Sequence, residues 1–117
     1  MRRLGAIVLS GVFFGACRTA PSIDEGRRLY RANGCANCHG PSGAGDGPVG
    51  KTLTPPPRDL RDASTYKNGA NAASVARTLG GMQNSQMPRF DHLTTDERQA
   101  IAMFVVSLQG KGADRDR

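Results

Sequence analysis

Large side chains for a hydrophobic core are scarce in this sequence. Its 117 residues include no Trp, two Tyr and four Phe, so aromatic residues make up only 5% of the chain. The length suits one small domain, and a domain of this size buries a modest fraction of its surface. Small domains are commonly completed by a metal, a covalent crosslink or another added group. A buried cofactor would make up for the shortage of core side chains, but composition alone does not show one.

A long hydrophobic run is also missing. The longest apolar stretch extends from Leu4 to Ala16, a run of 13 residues, whereas a membrane-spanning helix needs about 20. Because Arg2 and Arg3 precede it, the stretch has the form of an export signal. The sequence therefore predicts a signal peptide over residues 1–16 and a mature protein on the periplasmic side.

The end of this signal resembles a bacterial lipobox, in which a cysteine becomes the lipidated first residue. The small pair Gly15-Ala16 precedes Cys17, although Phe14 stands where such motifs usually have Leu. This interpretation predicts a membrane anchor on Cys17, followed by a short linker over residues 17–22. An ordinary signal peptide with an incidental Cys17 is the alternative, because small residues precede both kinds of cleavage site.

The positive charge is not concentrated. There are 16 basic and 10 acidic residues, a formal net charge of +6, with the densest basic spots in residues 27–31 and in the tail 110–117. Tyr30 is the one aromatic residue within these two spots, which is too few for a basic run with interleaved aromatics, so no nucleic-acid partner is expected. We interpret both as solvated surface and predict that the tail is flexible.

Strand-like alternation is absent from the sequence, and three segments have helical patterns. Residues 21–34 place Ile23, Leu29 and Tyr30 at near-helical spacing, and residues 71–81 place Val75 and Leu79 on one face. The clearest helix follows Thr94, which forms a capping-box pattern with Glu97; its apolar stripe contains Ile101, Phe104, Val105 and Leu108. The prediction is an all-α domain over residues 23–109.

Between the first two helices lies a long segment with no helical or strand period. Residues 40–62 contain seven Gly or Pro before Lys51 and three consecutive Pro after it. A structureless loop of this length is unusual inside a small domain. It becomes reasonable if the loop wraps a partner that it can pack against, which is the first independent indication of a large buried ligand.

A cluster of Cys35, Cys38 and His39 follows the first helix directly. The whole chain has three Cys and two His, too few soft ligands to make a four-ligand zinc site attractive. A Cys-x-x-Cys redox site normally accompanies a βαβ pattern, which this sequence lacks. Cys-x-x-Cys-His is the attachment pattern of c-type haem, and its chance occurrence is rare, so the cluster favours a covalently bound haem.

The sixth iron ligand decides what such a haem does. The candidates are Met82, Met87, Met103 and His92. We favour Met87, because Pro88 stiffens the loop beside it and because Met with His is the usual ligand pair in cytochromes c. Ligation by another of these residues, or an open site, remains an alternative.

With these motifs in place, the chain resembles the class I c-type cytochromes from about Ile23 to Leu108. The matching features are "CANCHG" at Cys35, Cys38 and His39, "MPRF" at Met87, and a Gly and an aromatic residue, Gly26 and Tyr30, in the first helix. The resemblance implies a small fold in which the N- and C-terminal helices cross. A short middle helix and Gly/Pro-rich loops would then surround one haem.

The resemblance also implies roles for residues around the haem. Gly47-Pro48 is similar to the segment whose Pro carbonyl accepts the N–H of the iron-binding imidazole. Arg58 in "TPPPRDL" is a candidate partner of the haem propionates, with Arg61, Tyr66 and Lys67 as weaker candidates. Exposed loop side chains are the alternative for all four. The polar run Gln83–Gln86 departs from the family pattern, and Asn84 or Gln86 is placed to donate a hydrogen bond near the Met87 sulfur.

The expected function is therefore that of a single-electron carrier, with no catalytic residues of its own. One haem c per chain, ligated by His39 and Met87, would exchange electrons with a donor and an acceptor protein in the periplasm or at a membrane. The chain would be a monomer or a subunit of a respiratory complex. If the sixth site were open, a haem enzyme or a sensor of peroxide or gas would be the alternative.

Overall fold

The protein is described by a computed structural model that covers residues 7–15, 19–66 and 71–111. Four α-helices follow one another: α1 (Ile23–Ala32), α2 (Cys35–His39), α3 (Ala72–Thr78) and α4 (Thr95–Ser107). Two short 3₁₀ helices, Gly50–Thr52 and Ala63–Thr65, lie in the long connection between α2 and α3. No strand occurs in the described ranges, so the predicted all-α class is confirmed.

Helix α1 lies within the predicted segment 21–34 and is two residues shorter at each end. The Ser22 side chain accepts a hydrogen bond from the Glu25 N–H at 3.1 Å, which satisfies one of the free donors of the first turn. Asp24 and Glu25 place negative charge at the positive end of the helix dipole. After Asn33, Gly34 adopts a φ of +74°, a left-handed conformation that glycine reaches without a steric penalty.

Helix α4 is fixed at its start by the predicted capping box. Glu97 N–H donates to the Thr94 hydroxyl at 3.2 Å, and Thr94 N–H donates to the Glu97 carboxylate at 2.7 Å. The predicted apolar stripe is confirmed, because Ile101, Phe104, Val105 and Leu108 are all buried. This stripe gives α4 a face that must be covered by the other helices.

The face is covered by the crossing of α1 over α4. Gly26 lies so close to α4 that a Cβ atom at this position would overlap the backbone carbonyl of Ala100. One turn further along α1, the Tyr30 ring meets Phe104 edge-on, with centroids 5.2 Å apart and planes at 68°. The expected crossing of the N- and C-terminal helices is therefore confirmed.

Helix α3 covers a second part of α4. The Asn71 side chain accepts a hydrogen bond from the Ser74 N–H at 2.8 Å and so caps the helix, as predicted. Val75 and Leu79 both enter the core, which also confirms their common face. Among the described residues, Tyr30 and Ile101 are the large side chains with less than 2% of their surface exposed, in keeping with the shortage of bulky residues in the sequence.

The apolar run near the N-terminus takes no part in this core. Its described portion, residues 7–15, has no regular secondary structure, and Val8, Phe13 and Phe14 are almost fully exposed. Within the described ranges, none of the helices has the length and apolar character that a membrane span requires. The predicted lipidation site Cys17, Lys67 and the tail beyond Lys111 lie outside the described residues.

The close contact of α1 with α4 predicts that Gly26→Ala destabilises the protein. Alanine favours a helix over glycine by up to about 1 kcal/mol, but overpacking against a rigid backbone costs about 1–3 kcal/mol or more. We expect the melting temperature to fall by roughly 5–10 °C. Thermal unfolding followed by circular dichroism measures the change.

Arg31→Ala is the matched control, because Arg31 is exposed on the same helix. A surface substitution of this kind changes stability by less than about 0.5 kcal/mol. An unchanged melting temperature for Gly26→Ala would contradict the close crossing.

Candidate functional site

The cysteine and histidine cluster lies on α2, a helix of five residues that is separated from α1 by two residues. Cys35 is buried in the hydrophobic core and Cys38 is half-buried; both are free thiols. Residues three apart in a helix lie on the same side. The two sulfur atoms therefore face one region, and His39 follows immediately at the end of the helix.

A glycine-rich loop wraps this short helix. The backbone N–H groups of Gly45, Gly47 and Val49 donate to the carbonyls of His39, Cys38 and Asn37, at 2.8, 3.1 and 2.9 Å. The last carbonyls of a helix have no partner within it, so the loop satisfies them one after another. The loop thereby fixes the C-terminal end of α2.

Glycine is required in this loop because the two backbones nearly touch. A Cβ atom on Gly47 would overlap the Asn37 carbonyl, and a Cβ atom on Gly50 would overlap the Cys38 carbonyl. The sequence predicted that the loop wraps a large ligand. In the structure the loop packs on the backbone of α2, so it has a protein partner that residue patterns did not reveal.

The His39 ring is oriented by a backbone carbonyl. Its Nδ1 lies 3.2 Å from the carbonyl oxygen of Arg58. Because a carbonyl can only accept a hydrogen bond, Nδ1 carries the proton, and the lone pair of Nε2 is left free for a metal. Burial lowers the pKa of His39, against a smaller opposing effect of this hydrogen bond. The imidazole is therefore neutral at pH 7, as an iron ligand must be.

The acceptor differs from the expected one, which was the carbonyl of Pro48. The hydrogen bonds of Gly47 and Val49 to α2 hold this segment beside the helix, and Pro48 is exposed. Arg58 reaches the ring because the Leu60 N–H donates to the Gly43 carbonyl at 2.7 Å, which brings the second part of the long loop back to α2.

The predicted propionate partners lie in the same part of the loop. The Arg58 side chain is exposed, and Arg61 forms an ion pair with Asp59 at 2.7 Å. Burial raises the pKa of Tyr66, an effect that the charge of Arg58 opposes. The Tyr66 hydroxyl and the Gln109 amide nitrogen are both buried, and an interaction with Gln109 also lowers the pKa of Tyr66, against the larger effect of burial. Gln109 had no signal in the sequence.

The four candidates for the sixth ligand differ in their surroundings. Met87 is half-buried and packs against the same core that contains Cys35, whereas Met82 is 47% exposed. His92 is exposed and its Nε2 lies 2.8 Å from the Asn33 side-chain oxygen at the end of α1. Met103 is half-buried within α4. Met87 is therefore the thioether that packs on the same apolar core as Cys35 of α2.

The polar residues before Met87 are all exposed, and Asn84 has a φ of +55°. The Met87 N–H donates to the Ser85 hydroxyl at 3.1 Å, a local turn that precedes the ligand candidate. The suggested role of Asn84 or Gln86 as a hydrogen-bond donor to the sulfur stays a prediction.

Taken together, these residues fit a haem c. Two thiols share one side of a helix, a neutral imidazole presents Nε2, and a thioether packs on the same core as Cys35. Buried donors on Tyr66 and Gln109 suit a carboxylate such as a propionate. Among the described residues, no three His, Cys, Asp or Glu side chains gather as ligands of a metal ion, and a haem iron does not need them.

Comparison with known proteins agrees with this fit. The family model described as Cytochrome c matches residues 23–109. No curated protein matches the chain. Among solved structures, a chain of the Kuenenia stuttgartiensis reducing HAO-like protein complex is 27% identical, with a TM-score of 0.62. The alignment covers 80% of this chain and 44% of that one, so this chain spans less than half the length of its structural relative.

The arrangement of α2 predicts that Cys35 and Cys38 hold a haem covalently. The double substitution Cys35→Ser/Cys38→Ser is expected to abolish haem staining on a denaturing gel, because no thioether can form. Cys17→Ser is the matched control and should stain like the wild-type protein. Staining of the double variant at wild-type intensity would contradict the assignment.

Proposed function

Because the chain belongs to the cytochrome c family, we propose that it is a single-electron carrier in which His39 and Met87 bind the iron of one haem c. The family attaches haem c covalently and uses it for electron transfer. The observation that carries the proposal is the hydrogen bond of His39 to the Arg58 carbonyl, which leaves Nε2 available while Met87 packs on the neighbouring core.

When bound, the haem supplies an iron that alternates between the ferrous and ferric states. The chain contributes the ligands and their surroundings. The Arg58 carbonyl raises the basicity of the imidazole and fixes its plane. A methionine sulfur as the second ligand would raise the reduction potential. The hydrogen bonds of the glycine-rich loop to α2 keep His39 in place, so this residue would hold its position in both oxidation states of a bound iron.

The proposed partners are a donor and an acceptor protein that themselves exchange single electrons. We further propose that the carrier works as part of, or beside, an oxidoreductase complex. The similarity to a chain of a reducing HAO-like protein complex supports this role. The domain itself holds no group that we assign to bond-making chemistry.

We also propose that the protein is exported and attached to a membrane through a lipid on Cys17. The 13-residue apolar run before it is the support, since its described part lies outside the core and exposes Val8, Phe13 and Phe14. Recognition by an export machinery is one role for an apolar segment that is not part of the core.

The ligand assignment predicts different spectra for two methionine variants. Met87→Ala should lose the six-coordinate low-spin spectrum, and its ferrous form should bind carbon monoxide readily. Met82→Ala is the control, because Met82 is 47% exposed and does not pack with the core. Absorption spectra of the reduced proteins with and without carbon monoxide make the comparison.

The reverse pattern would assign the ligand to Met82. Ready binding of carbon monoxide by the wild-type protein would instead show an open sixth site, which is the property of a haem enzyme or a gas sensor.

The anchor predicts that Cys17→Ser releases the protein from membranes. Lipid on this residue would be the attachment, so the variant should appear in the soluble fraction of a cell extract with its haem intact. Fractionation followed by haem staining measures the distribution. Wild-type membrane retention of the variant would contradict lipidation of Cys17.

A further inference from the structure

Arg98 reaches from α4 to the loop that carries Met87. Its side chain is only 25% exposed, which is unusual for an arginine. Its Nη2 donates to the backbone carbonyl of Phe90 at 2.9 Å and lies 3.7 Å from an Asp91 carboxylate oxygen. Both acceptors follow Met87 by three or four residues, at the end of the loop.

The guanidinium also contacts the beginning of this loop. A Cβ atom on Gly80 would lie 3.3 Å from Nη1 of Arg98. The loop is closed between these points, because the Phe90 N–H donates to the Leu79 carbonyl at 2.9 Å. A single side chain of α4 therefore lies against both ends of the segment 79–90.

Between its ends the loop lies largely at the surface, and the Arg89 side chain lies against Gly81 within the loop itself. Residues 82–86 are all exposed, and the hydrogen bond from Met87 N–H to Ser85 lies within the loop itself. Met87 is the residue in the middle of the segment that packs against the core. The position of Met87 thus depends on how firmly the two ends are held.

The burial of Arg98 is not explained by stability alone. Its Nε is buried and has no hydrogen-bond partner in the described ranges, and an unpaired buried donor is unfavourable. The orientation that leaves Nε unpaired is the one that brings Nη2 to Phe90. The side chain of Arg98 is therefore held in this orientation by its contacts with the loop, not by contacts within α4.

We propose that Arg98 is a positioning residue that keeps the loop 79–90 closed and so limits how often Met87 leaves the iron. The inference rests on the proposed ligation by Met87. Arg98 touches no ligand of the iron and acts through the Phe90 carbonyl. Its loss would open the loop locally, while the crossing of α1 and α4 would persist.

The test compares Arg98→Met with Arg89→Ala in the haem-containing protein. Arg89 is the matched control, because it also pairs with Asp91, at 3.2 Å, but is 68% exposed and lies against Gly81, so it tests contacts within the loop apart from the link to α4. The first measurement is the rate at which the ferrous protein binds carbon monoxide, which requires the Met87 sulfur to leave. A hydrogen bond from a charged donor is strong enough that its loss should raise this rate about tenfold or more.

The second measurement is a urea titration with two signals. The sulfur-to-iron absorption band of the ferric protein reports the ligand, and circular dichroism reports the helices. For Arg98→Met we expect the band to vanish at a distinctly lower urea concentration than the helical signal does. Arg89→Ala should match the wild type in both measurements. If Arg98→Met does not fold, Arg98→Lys, which keeps the charge, is expected to show a smaller rise in the same rate.

The outcomes separate the two proposals. An unchanged carbon monoxide rate in Arg98→Met, an equal rise in Arg89→Ala, or loss of the band together with the helices would overturn the role of Arg98 while leaving Met87 as the ligand. Absence of the sulfur-to-iron band from the wild type would refute the ligation by Met87, and the inference about Arg98 with it.

Discussion

The contact between Gly26 and the Ala100 carbonyl is the constraint on which the remaining structure depends. It lets α1 and α4 approach until their backbones touch, so the Tyr30 and Phe104 rings meet one turn later. Only two residues separate α1 from α2. The crossing of α1 and α4 therefore also sets the position of the cysteines and the histidine on α2. Helix α4 also contacts the loop that carries Met87, because Arg98 donates a hydrogen bond to the Phe90 carbonyl. The positions of both halves of the candidate iron site therefore depend on one glycine, which is itself part of neither half.

Helix α2 is held in place by backbone groups more than by side chains. Three N–H groups of the glycine-rich loop satisfy the carbonyls at the end of α2, and one carbonyl of the same long connection sets the His39 ring. Such contacts need a chain that passes very close to α2, which is why Gly47 and Gly50 have no room for a Cβ atom. A chain poor in large side chains can hold a cofactor in this way, because hydrogen bonds between backbones supply rigidity that a small apolar core does not.

The sequence predicted those features that depend on neighbours in the chain. The caps at Thr94 and Asn71 are local patterns, and the structure confirms both. The acceptor for His39 was assigned to Pro48, whereas the structure uses Arg58. Every residue has a backbone carbonyl, so the identity of the acceptor depends on the path of residues 51–60. Their sequence has no helical or strand periodicity from which that path could be predicted. The positions of Arg98 and Gln109 were missed for a similar reason: each depends on which loop reaches α4, and a helix pattern describes only the helix.

The burial of Cys35 has a consequence for the order in which the protein is made. In the folded chain this thiol is enclosed by the core, and burial raises its pKa to about 11. The thiol is then neutral, and the thiolate, its reactive form, is disfavoured in the folded chain. We therefore infer that covalent attachment precedes the burial of Cys35 in the core. The fold that forms afterwards would hold the attached residue away from solvent.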